Sequence, residues 1–83
     1  MADPKNKNHV ASPLAGQVLR VLKNVGDVVA PGEALLVLTA MKLEVTIKCP
    51  DEGGKTFVVQ HIPVHKDLEV VENALLVQVN PVS

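Results

Sequence analysis

The chain has 83 residues and a formal net charge of −1. It is therefore one small domain with a thin core, since a chain of this size buries only about 60–65% of the surface exposed when unfolded. One cysteine, Cys49, excludes an internal disulfide framework and a cysteine-based zinc site. The near-neutral charge leaves no basic footprint for nucleic acid, and the single aromatic, Phe57, leaves no base-stacking platform.

Sixteen valines and ten leucines favour pleated, half-buried surface over helix. Residues 1–8 are polar, lack the apolar centre of a secretory signal and are expected to be a disordered leader. Residues 9–80 are expected to form the domain and residues 81–83 a tail. From there Pro and Gly punctuate short Val/Leu runs, which predicts eight strands: His9–Ser12, Val18–Lys23, Val28–Ala30, Ala34–Thr39, Leu43–Cys49, Lys55–Gln60, Leu68–Val70 and Leu75–Val79. Arg20, Lys23, Glu33, Lys42 and Glu44 interrupt every apolar run before it reaches membrane-spanning length.

Residues 33–49 contain no Pro or Gly, and EALLVLTAMKLE is rich in helix formers. An internal repeat decides for strand instead. ALLV at Ala34–Val37 recurs at Ala74–Val77, and the same offset of forty matches Asp27 to Asp67 and Val28 to Leu68. Upstream, Pro13 matches Pro50 and Gly16 matches Gly53 at an offset of thirty-seven. About three extra residues are thus expected between Gly54 and Asp67, with Lys66 standing where the first half has Gly26. The pattern predicts an all-β, flattened barrel or sandwich of two four-stranded antiparallel sheets with pseudo-twofold symmetry. The halves meet at a hairpin whose bend falls on Met41 and Lys42, neither of them a usual turn residue. Departures of this kind cluster at functional or strained sites.

The segment AMKLE, led by VLTAMK and flanked by SPLAG and VGDVVAPGEALLVL, resembles the attachment motif of biotinyl domains. The resemblance covers residues 10–79. It implies that Lys42 is the acceptor for covalent biotin, joined as an amide through its ε-amine by a biotin protein ligase. It also implies a carrier with no catalytic residues of its own, shuttling carboxybiotin between the biotin carboxylase and carboxyltransferase domains of a biotin-dependent carboxylase or decarboxylase. Ala40, Met41, Leu43 and Glu44 would then contact the ligase and partner enzymes. The implied setting is intracellular, cytoplasmic or mitochondrial matrix, with the isolated domain a monomer. Leu43 stands where the family most often has Met, a nearly volume-conserving exchange. HIPVHKD replaces a shorter Gly-Asp turn and is expected to hold a bulge or longer loop.

Two other readings stay open. Lipoyl carriers of 2-oxo acid dehydrogenase complexes or the glycine cleavage system share the fold and also modify a central lysine, but their lysine usually follows an acidic residue and precedes Ala. An unmodified binding module is the third. Among the remaining residues, His61 and His65 flank Pro63 without a third ligand nearby, which argues against metal. Gly16, Gly26, Gly32, Gly53 and Gly54 are expected in turns with positive φ. Asp27 and Asp67 are expected to bond backbone in matched turns, and Cys49 to pack as a small hydrophobe.

Overall fold

A computed structural model describes residues 9–51 and 54–82. The expected leader, Gly53 and the last residue of the expected tail lie outside the described residues. All eight predicted strands form, as β1 (His9–Ala11), β2 (Gly16–Val21), β3 (Val28–Val29), β4 (Ala34–Ala40), β5 (Leu43–Lys48), β6 (Phe57–His61), β7 (Glu69–Val70) and β8 (Leu75–Pro81). The Glu33–Glu44 stretch is strand and hairpin, with no helix among the described residues, so pairing overrides local helix propensity there. The largest boundary difference is in β2, which starts at Gly16 rather than Val18 and ends at Val21 rather than Lys23.

Two four-stranded antiparallel sheets result, in the orders β1-β8-β6-β3 and β5-β4-β2-β7. Their inner faces meet in one core that contains Val10, Val18, Val29, Leu36, Leu38, Ile47, Phe57, Val59, Val70, Leu76 and Val79. The overall extents are 38 × 24 × 19 Å. Ser12 is the one buried polar residue among those described. Its hydroxyl donates to the Leu14 carbonyl at 2.5 Å, which offsets the cost of burying it.

The two halves pair strand for strand in matching registers, and the register corrects the sequence repeat. Val18 pairs with Leu38 as Val59 pairs with Val79, and Arg20 pairs with Val37 as His61 pairs with Gln78, so residues 16–40 correspond to residues 57–81 at an offset of forty-one. The ALLV match is therefore slipped by one: Ala34 corresponds to Leu75, paired with Lys48 and Ala11 respectively. Asp27 corresponds to Leu68, and Gly26 to Asp67, from the matching bonds of Gly26 N to Val59 O and Asp67 N to Val18 O. Ser12 and Cys49 still correspond at thirty-seven, through their bonds to Ala74 and Glu33.

The insertion is therefore four residues rather than about three, and it lies in the connection between Pro50 and Phe57, ahead of HIPVHKD. HIPVHKD is no longer than its counterpart in residues 20–26, and both strands entering these segments carry the same register shift, between Val18 and Arg20 and between Val59 and His61. Lys66 occupies the place of Val25, and Asp67 takes the positive φ (72°) that Gly26 (95°) supplies in the first half.

Candidate functional site

β4 and β5 form a six-pair ladder from Ala34↔Lys48 to Ala40↔Leu43, leaving Met41 and Lys42 as the two loop residues. Both have positive φ, 49° and 68°, as a two-residue hairpin matching the twist of its strands requires. Gly or Asn normally supplies this geometry. A left-handed residue with a Cβ costs about 1–2 kcal/mol, so the strands on either side have to hold the bend.

Three features do so. Leu36, Leu38 and Ile47 anchor the two strands in the core. Gly16, at the start of β2, lies so close to the end of β4 that a Cβ there would stand 2.7 Å from the Thr39 carbonyl oxygen and 3.3 Å from the Ala40 Cβ. Gly16 is thus required by close approach and not, as its place among the turn glycines suggests, by positive φ. Arg20 of β2 reaches over Val37 of β4 to Glu44 of β5, Nη2 to Oε1 at 3.4 Å, tying three strands together beside the tip. Val37 is buried although it faces outward with Arg20, as expected when a long charged side chain lies along a strand.

At the tip Met41 is 95% exposed and Leu43 68%. Met41 is thus presented far more openly than a gap-filling core methionine. Lys42 is exposed, and among the described residues its amine meets no hydrogen-bond or ion-pair partner. Ala40 is half-buried and Glu44 exposed. The structure brings Ala40, Met41, Lys42, Leu43 and Glu44 together at one hairpin tip, as read from the sequence. Gly16 and Arg20 were not singled out as supports. Only SPLAG hinted at the first, and the second depends on a partner two strands away.

The other sequence candidates lie elsewhere. His65 Nδ1 is 2.9 Å from the Lys66 carbonyl oxygen, and no group of three metal-capable side chains occurs among the described residues. Asp27 accepts from the Asn24 amide at 2.7 Å. Asp67 differs from that expectation, because its carbonyl, not its carboxylate, is the acceptor, from Gln17 Nε2 at 2.9 Å. Glu33 accepts from the Ala30 amide at 3.0 Å and pairs with Lys23. The amide bond first, and the ammonium second, hold its carboxyl below the usual range. Cys49 is buried, and burial first, with the Glu33 charge second, raises its thiol pKa.

A chemically usable feature stands out from this geometry: a primary amine on a flexible stem, at the tip of a hairpin paired along its full length. Such an amine suits amide attachment of a carried group. Comparison with known proteins identifies the family. Residues 8–79 match the family model described as biotin-requiring enzyme. The chain is 31% identical over 78 residues to a pyruvate carboxylase of Staphylococcus aureus, covering 94% of this chain and 6% of that protein. It is 38% identical over 64 residues to the mitochondrial methylcrotonoyl-CoA carboxylase subunit alpha of Dictyostelium discoideum, covering 77% and 8%. With the mitochondrial pyruvate carboxylase of Mus musculus it shares 32% identity over 73 residues, covering 88% and 6%. The chain thus spans less than a tenth of the length of these relatives.

Proposed function

Because the chain belongs to the biotin-requiring enzyme family and is a carrier domain of the biotin rather than the lipoyl kind, we propose that Lys42 is its covalent biotin attachment site. A biotin protein ligase would join the biotin carboxyl group to the Lys42 ε-amine as an amide. The lysine loses its positive charge in doing so. The attached group supplies carboxyl transfer between a biotin carboxylase site and a carboxyltransferase site, in a larger carboxylase akin to those of the relatives.

The protein's own residues supply position. The β4–β5 ladder holds the hairpin, with the exposed Arg20–Glu44 pair beside it adding little, and the side-chain stem supplies the reach. Met41, Leu43, Ala40 and Glu44 present the recognition surface around it. The domain itself contributes no acid, base or nucleophile to the reaction. Tethering instead raises the effective concentration of the carried group at both sites. An intracellular setting, cytoplasm or mitochondrial matrix, accompanies this reading.

The observation that carries the proposal is the exposed amine of Lys42, without a partner among the described residues, at the tip of the β4–β5 hairpin within AMKLE. Intact-mass spectrometry after co-expression with a biotin ligase tests it. One biotinyl adduct is expected, absent from Lys42→Arg. A lipoyl adduct, a biotinyl adduct that survives Lys42→Arg, or no adduct with an active ligase, would overturn it.

A further inference from the structure

The pseudo-twofold relation exposes a difference that neither half shows alone. In the first half, Lys23 and Glu33 form an ion pair across the space between the end of β2 and the turn before β4. Their counterparts are Val64 and Ala74, and between these lies an open groove of about 430 Å³ lined by Pro63, Val64, Leu68, Val70, Val71 and Ala74. The same two places in the backbone thus hold an ion pair in one half and two apolar side chains beside a groove in the other.

The charges differ in the opposite sense. Gly26, Val28 and Pro31 of the first half are replaced by Asp67, Glu69 and Glu72, of which Glu69 lines the groove and the other two adjoin its lining residues Leu68 and Val71 in sequence. All three carboxylates are exposed, and among the described residues none meets a hydrogen-bond donor or cation. Lys66, the nearest cation in sequence, lines a different depression. Glu69, Val70 and Val71 also line a second depression of about 600 Å³, which reaches Ala40 and Met41 on the lysine-bearing hairpin. Val71, between the two depressions, is 61% exposed.

We infer that this groove is a docking site for a partner-protein surface presenting an apolar side chain flanked by lysine or arginine. The apolar side chain fills the space between Val64 and Ala74 that Lys23 and Glu33 fill in the first half. The flanking cations meet Glu69 and Glu72, whose charges have no partner among the described residues. A protein so seated lies beside Met41 and is held against the hairpin without occupying it. The inference goes beyond the assignment of Lys42 and stands whether or not that lysine is biotinylated.

The test uses the unmodified 83-residue chain and three capped tripeptides, Ac-Lys-Leu-Lys-NH2, Ac-Lys-Ser-Lys-NH2 and Ac-Glu-Leu-Glu-NH2, titrated to millimolar concentration and followed by amide chemical shifts. The Lys-Leu-Lys peptide is expected to shift the amides of Val64, Leu68–Val71 and Ala74. The other two peptides should bind at least about tenfold more weakly, as loss of the buried side chain or of the charge match implies. Glu69→Gln/Glu72→Gln, which alters exposed residues alone, should weaken binding of the first peptide by a similar factor, and Val64→Lys/Ala74→Glu should abolish it. Shifts located elsewhere, equal shifts from all three peptides, no shift with any, or binding undiminished in Glu69→Gln/Glu72→Gln would overturn the inference.

Discussion

The two halves of this domain share a backbone and differ in what they do with it. Residues 16–40 and residues 57–81 pair in the same register, bend at the same shifts and enter the same turns. At the turn positions that demand a left-handed backbone, the first half uses Gly26 and Gly32 and the second uses Asp67 and Asn73. The polar pair tolerates the conformation at some cost. The first half closes its edge with the Lys23–Glu33 pair, and the second leaves an apolar groove between Val64 and Ala74. The first half runs on from Ala40 into the Met41–Lys42 bend, where two residues with side chains take the left-handed backbone. One shared backbone thus carries different side-chain chemistry in its two halves.

The comparison can be broken first in the core. Leu38 and Val79 correspond and both are fully buried. Leu38→Ala is expected to cost about 2–5 kcal/mol by urea denaturation. Val79→Ala should cost about 1 kcal/mol less, the difference of one methylene. If the second half tolerated its truncation freely, the halves would not share one cooperative core.

A smaller effect is expected at Gly16, whose counterpart is the buried Phe57. Gly16→Ala places a Cβ against the Thr39 carbonyl and should destabilise the domain by about 1–3 kcal/mol. It should also slow ligase modification of Lys42, because the strand it displaces carries the hairpin. Removal of the Phe57 ring by Phe57→Leu should lower stability while leaving the modification rate of the folded fraction unchanged. Streptavidin gel shift against time separates the two.

The smallest effect sharpens the contrast between closed and open edges. The Glu33 carboxyl titrates below its ordinary value of 4.5 in the folded state, so its contribution is present above that pH and is lost as pH falls through the lowered folded value. Glu33→Gln should flatten this part of the acid limb of a denaturation-versus-pH curve. Ala74→Gln, at the equivalent place, should leave its shape unchanged. The Cys49 thiol behaves in the opposite sense. Its raised folded value makes stability fall as pH rises above 9.0, the unfolded value.

Much of this was legible from local chemistry. The Pro and Gly punctuation marks eight strands, and all eight form. Met41 and Lys42 read as a bend because the runs on either side pair, although their residue types argue against a turn. The repeat was legible in outline and wrong in register. ALLVL and ALLV stay apolar when slid by one residue, so composition does not distinguish an offset of forty from forty-one. The hydrogen-bond ladder does, since in a strand a one-residue slip sends each side chain to the opposite face.

By itself, then, the sequence determined the strand-rich class, the lysine in its AMKLE setting and the existence of two related halves. These depend on periodicity, turn propensity and motif, which are properties of neighbouring residues. Only the tertiary structure decided the true correspondence of the halves, the close approach that requires Gly16, the Arg20–Glu44 bridge and the groove opposite the Lys23–Glu33 pair. Each of these depends on residues far apart in the chain, brought together by pairing across strands, and no local rule encodes that distance.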